Sequence, residues 1–181
     1  MIAPARIAAL RVLQAVHADR ADLPGALAQA RTHLSDERDR ALLVELATGT
    51  LRWLGAIDHL IAHGAKRPLA RLDPEVRDVL RLGIYQLLHL DRVPASAVVD
   101  DAVELTRRAG KSSAAGLVNA VLRGVSRTRT ALPLPAKPSV GADGKKLRGN
   151  ERAIAKKRAL CLRALNDLDR WASGAPAIAA E

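Results

Sequence analysis

The chain has 181 residues, with 29 lysines and arginines against 19 aspartates and glutamates, and 49% of it is apolar although it holds no Phe, two Trp and one Tyr. A single cysteine, Cys161, excludes an internal disulfide and a cysteine-cluster zinc site, and a core drawn from Leu, Ala, Val and Ile favours helix over strand. The opening stretch 1–18, interrupted by Arg6 and Arg11, is too short for a membrane span and lacks a secretory cleavage pattern, so the expectation is a soluble, cytoplasmic protein without membrane contact.

The basic excess is uneven. Residues 1–127 carry 18 basic against 14 acidic side chains, whereas residues 128–181 carry 11 against 5. Such a balance suits polyanions such as RNA but says nothing about fold.

Residues 5–18 read as the first helix, because Ile7, Leu10, Leu13 and Val16 recur every third residue with Arg6, Arg11 and Gln14 off the stripe. Asp22-Leu23-Pro24-Gly25 reads as a turn, and Ala26–Arg31 as at most two helical turns. Ser35 is the expected N-cap of the next helix, with Asp36 and Glu37 in the first turn, where the helix dipole favours negative charge. From there Leu43, Leu46, Thr50, Leu54, Ile57 and Ile61 trace one face as far as His63-Gly64. Gly49 and Gly55 interrupt this long pattern, so either two helices meet near Gly49 or neighbouring backbones pack closely there.

Lys66-Arg67-Pro68 breaks the pattern, and Asp73-Pro74-Glu75 is a helix start with Asp as cap and Pro in the first turn. Val76, Val79, Leu80, Gly83 and Leu87 form a dense apolar face with arginine on both flanks. Beyond Val93-Pro94 a helix is expected over Ser96–Ala109, closed by Gly110 as the C′ residue. A last helix, capped by Ser112 or Ser113, runs to about Arg127. The reading is therefore an all-α bundle of six to seven helices over 1–127, a Pro/Gly-rich linker over 128–150, and a basic tail over 151–181 with a marginal helix at Glu151–Trp171.

Several residues invite a chemical reading. Gly83 and Gly116 are expected to let helices approach closely, Tyr85 to bury its ring with its hydroxyl on a polar group, and Asn119 to bond a loop carbonyl if buried. Asp101 and Glu104 share a helix face, but Arg107 and Arg108 follow within a turn, which favours ion pairing over acid/base or metal chemistry. His59 and His63 have the spacing of a helical metal pair without a third ligand, and every Ser lies in a cap or loop, so no metal, cofactor or catalytic residue is assigned.

The segment LRLGIYQLLHLDRVP, followed by VELTRRAGKSSAAGLVNAVLR, resembles the NusB-type helical domain, and its spelling is closest to the copy at the front of Sun/Fmu-type (RsmB) ribosomal RNA cytosine-C5 methyltransferases. With weaker matches at Arg6–Leu13 and Gly49–Trp53, the resemblance covers about residues 5–127. It implies an RNA-binding surface, for which the candidates are Arg6, Arg11, Arg67, Arg71, Arg107, Arg108, Lys111, Arg123 and Arg127. Such enzymes keep their chemistry in a second domain, with a glycine-rich loop for S-adenosylmethionine and two cysteines. Neither is recognisable here, and the expectation is a truncated, non-catalytic accessory domain, its frame shifted near Val140. Its partners would be RNA and a methyltransferase domain. Two alternatives stand beside this. One is an antitermination factor of NusB type, binding leader RNA with a small-subunit ribosomal protein, and the other is a protein-interaction module without RNA.

Overall fold

The computed structural model describes residues 2–134, so most of the expected linker and the candidate helix Glu151–Trp171 lie outside the described residues. Seven α-helices follow in order among the described residues: α1 (Pro4–His17), α2 (Leu23–Arg31), α3 (Glu37–Arg52), α4 (Leu54–Ala65), α5 (Pro74–His89), α6 (Ala95–Arg108) and α7 (Ala115–Arg127). Single 3₁₀ turns at Leu69–Arg71 and Ser112–Ala114 precede α5 and α7. No strand occurs among the described residues, which fits the all-α reading.

The boundaries follow local chemistry. Asp22 accepts the backbone N–H of Gly25, so α2 begins at Leu23 and takes Pro24 into its first turn, where a missing N–H costs nothing. The turn expected at Leu23-Pro24-Gly25 is thus the head of a helix. Asp36, not Ser35, caps α3 by accepting from the N–H of Arg38. Asp73 caps α5 as expected, and a hydrogen bond with Glu75, then the Lys111 ammonium, holds its carboxyl below the ordinary value. Gly110 takes the left-handed conformation at φ +74°. Its N–H donates to Arg107 O and that of Lys111 to Thr106 O, the paired bonds of a Schellman ending to α6. The expected serine cap on α7 is not made, because Ser112–Ala114 wind into the 3₁₀ turn and no side chain caps the helix.

α5 is the axis. It packs against α1, α3, α4, α6 and α7, and every residue from Asp78 to Leu88 is buried. A helix sheathed on all sides should be apolar all round, yet α5 carries Asp78, Arg81 and Gln86 into the interior. Arg81, 7% exposed, donates from Nε and Nη2 to the two carboxylate oxygens of Asp58 on α4 at 2.7 and 2.8 Å. Its Nη1 donates to Asp78 at 3.0 Å, and Asp78 is held in turn by His17 Nδ1 of α1 at 2.8 Å. Burial opposes the Arg81 charge, but Asp58 and Asp78 outweigh it and hold the guanidinium protonated. Gln86 accepts from Arg6 Nε at 2.7 Å and donates to Leu82 O.

At the other end of α5 the interior is aromatic. A Cβ on Gly49 would stand 2.0 Å from Tyr85 Cζ, so this glycine is the notch into which the phenol fits. Tyr85 donates its hydroxyl to Glu45 at the rim and lies on the His89 ring, centroids 4.8 Å apart, and the Trp53 ring is 4.7 Å from His89. Burial and the Glu45 carboxylate push the Tyr85 phenol above its ordinary value. The break in the long α3–α4 pattern falls at Trp53, whose ring this cluster anchors, and not at Gly49. A Cβ on Gly83 would stand 3.0 Å from the Leu122 methyls, the expected close crossing, whereas one on Gly116 would meet nothing within 4 Å among the described residues, so Gly116 serves no such contact.

Three outcomes test this packing. Gly49→Ala should destabilise the bundle by about 2 kcal/mol or more through overpacking, read as a lowered urea midpoint. Adding Tyr85→Leu should recover part of that loss. Arg81→Met leaves two carboxylates facing each other in the interior and should cost about 3–5 kcal/mol, measured the same way. Burial first, and then Arg129, push His89 down to about 4, against the opposing pull of Glu45 and Asp91. A histidine favoured neutral in the fold stabilises it above its unfolded pKa, and this is lost as pH falls. Stability should therefore drop by about 3 kcal/mol between pH values of about 6.5 and about 4, and His89→Gln should flatten that part of the pH profile.

Candidate nucleic-acid interface

The nine candidate cations do not form one continuous rim. Arg6 lies 13% exposed on α1, donating to Gln86 of α5 and pairing with Asp101 of α6 at 3.1 Å, so its charge is consumed in joining three helices. Lys111 pairs with Asp73 at 2.6 Å and Glu75 at 3.9 Å, which raises its pKa and ties the end of α6 to the start of α5. Arg108 pairs with Glu104 at 2.9 Å along one face of α6, the arrangement expected from their spacing. These three are structural ties first.

Arg11, Arg67, Arg71, Arg107 and Arg127 are exposed and make no side-chain hydrogen bond or ion pair among the described residues. Arg123 is also exposed, and only its Nε is engaged, donating to Asn119 Oδ1 at 2.9 Å. Asn119 is half-buried and serves this arginine, where a loop carbonyl was expected.

The helix directions sort these cations in space. The Lys111–Asp73 contact places the C-terminal end of α6 beside the N-terminal end of α5, with Arg107 and Arg108 on α6 and Arg67 and Arg71 in the connection leading to α5. At the opposite end of α6, Arg123 and Arg127 of α7 share a cleft with Ala95, Ser96 and Val99. With about 1.5 Å of rise per residue, the length of α6 separates the two groups by roughly 20 Å. Phosphates along an extended strand can be met at both ends at once, and guanidinium groups suit them by charge and by their forked donors.

Two clefts differ in character. The α6–α7 cleft, of about 270 Å³, is lined by Ala95, Ser96, Val99, Arg123, Ser126 and Arg127 and, among the described residues, by no carboxylate. That between the end of α1 and the start of α5, of about 290 Å³, holds Glu75 and Asp78 beside His17, Arg20 and Arg77. Its charges are balanced, and it opens onto the Arg81 cluster. Asn119 and Ser96 escaped the sequence reading as site residues. The four-residue spacing of Asn119 and Arg123 was the one available signal.

Among the described residues no group of three or more potential metal ligands is assembled, and His59 bonds the carbonyl of Pro133 through Nε2 at 3.0 Å. No helix among them is long and apolar enough to cross a membrane.

Comparison with known proteins places this geometry. The NusB family model matches residues 3–127. A ribosomal RNA small subunit methyltransferase B from Pseudomonas putida is 40% identical over 122 residues, covering 67% of this chain and 28% of that enzyme. The transcription antitermination protein NusB of Coxiella burnetii is 38% identical over 90 residues, 50% of this chain and 65% of that protein. Among solved structures, T. maritima NusB superposes with a TM-score of 0.62 at 28% identity, covering 68% of this chain and 88% of that one. The chain thus spans little more than a quarter of the methyltransferase it matches. With the family model covering α1 to α7, this chain belongs to the NusB family.

Proposed function

We propose that residues 3–127 form an RNA-binding accessory domain of the kind found in ribosomal RNA methyltransferases, acting in the cytoplasm and without catalysis of its own. The observation that carries the reading is a set of exposed arginines whose charge no carboxylate among the described residues cancels: Arg11, Arg67, Arg71, Arg107, Arg123 and Arg127. Similarity over 67% of the chain to the P. putida methyltransferase points to ribosomal RNA as the polyanion and to a methyltransferase domain as the partner. The cationic groups would hold the RNA backbone while the catalytic partner acts on the base. Trp53 and Tyr85, the two aromatics among the described residues, are buried, so base stacking contributes little and affinity is mainly electrostatic.

The match to the Coxiella antitermination protein supports a second reading, in which the domain binds leader RNA beside a ribosomal protein. Both readings require RNA. A single-stranded 16S ribosomal RNA fragment and a leader RNA, titrated with the full chain across salt, separate them by relative affinity. The expected result is a log–log slope steeper than about −2, since each neutralised phosphate contributes about −0.7 on single strands, with the ribosomal fragment preferred. Preference for the leader supports antitermination. Undetectable or salt-independent binding overturns both. In a methyl-transfer assay the chain alone should leave RNA unmodified.

A further inference from the structure

We propose that the cleft between the start of α6 and the end of α7 is a subsite for one phosphodiester of single-stranded RNA, an inference that rests on the RNA-binding reading. Its lining supplies charge without compensation. Arg123 and Arg127, one helical turn apart on α7, both border it, and among the described residues no carboxylate does.

Asn119 makes the difference from an ordinary surface arginine. It stands four residues before Arg123 and accepts from its Nε, just as Glu104 stands four before Arg108 and accepts from that Nε, each at 2.9 Å. The two pairs have the same geometry and opposite electrostatic outcomes. Glu104 cancels the charge of Arg108, whereas the Asn119 amide fixes Arg123 and leaves its charge intact. The terminal nitrogens of Arg123 remain available, and they can present a fork to two oxygens of a phosphate.

The other walls favour the same ligand. Ser96 and Ser126 bring hydroxyl donors, and Ala95 and Val99 give an apolar side that displaces water from the contact. α6 starts at Ala95 after Pro94, without a side-chain cap and without an acid in its first turn. The α1–α5 cleft, of similar volume, sets Glu75 and Asp78 against Arg20 and Arg77 and so offers an anion no comparable net positive charge.

The test uses the full chain and a fluorescein-labelled single-stranded 16S ribosomal RNA fragment, titrated at several salt concentrations. Arg123→Gln and Arg127→Gln should each weaken binding by about tenfold and flatten the log–log salt slope by about 0.7. Asn119→Ala keeps the charge and loses only the positioning, so affinity should fall by about threefold with the slope unchanged. Arg38→Gln, an equal charge loss at an exposed position of α3, should bind like the parent chain. Because Arg123 and Arg127 are exposed, thermal midpoints should not move. If the α7 variants lose no more affinity than Arg38→Gln while the parent binds with a steep slope, the subsite is wrong and RNA binding stands. If the parent chain shows no salt-dependent binding, both fall. Release of the RNA by inorganic phosphate at constant ionic strength would assign the cleft to a free anion and overturn the proposal.

Discussion

A guanidinium taken out of water costs several kcal/mol, and Arg81 can sit at the centre of this bundle only because two carboxylates reach it there. Asp58 comes from α4, Asp78 from a turn earlier on α5, and His17 from α1 closes the far side of Asp78. Leu- and Ala-rich surfaces can slide past one another at small cost, since one aliphatic contact resembles the next. An interior ion cluster removes that freedom: every shift of α1 or α4 along α5 separates charges in a medium that screens them poorly. The register of three helices is therefore set where the core is least apolar.

The same logic, reversed, sorts the surface. Arginines matched with carboxylates, such as Arg6 with Asp101 or Arg108 with Glu104, contribute to architecture and present little net field. Those matched with an amide or with nothing keep their charge for a ligand. Net charge counted along the sequence merges these two populations. For residues 1–127 it amounts to a modest excess of 18 over 14, although Arg67, Arg71, Arg107, Arg123 and Arg127, uncompensated among the described residues, gather near the two ends of α6.

Much of the architecture was legible because its signals are local. The Asp73-Pro74 start and the Gly110 ending of α6 depend on a few adjacent residues, and they appear where expected. The errors arose where tertiary contacts or a competing local motif decided the outcome. The α3–α4 break falls at Trp53, between the two glycines that interrupt the pattern, and Trp53 itself, whose ring lies against His89, carries no local signal for it. Pro24 reads as a breaker until Asp22 is seen to cap the turn that contains it. Arg81, from its place beside an apolar stripe, looks like a flank residue, because the helices that cover that flank lie 23 and 64 positions away. For the interface, residue type named the candidates, but only ion pairing across the fold shows which of them are already spent.

The peptide beyond α7 does not continue along that helix. Arg129 pairs with Asp91 and the Pro133 carbonyl rests on His59, so the backbone folds back over the flank of α4 before Leu134. Residues 128–133 are thereby fastened to the bundle at two points, Asp91 and His59, and the ordered body extends past its last helix.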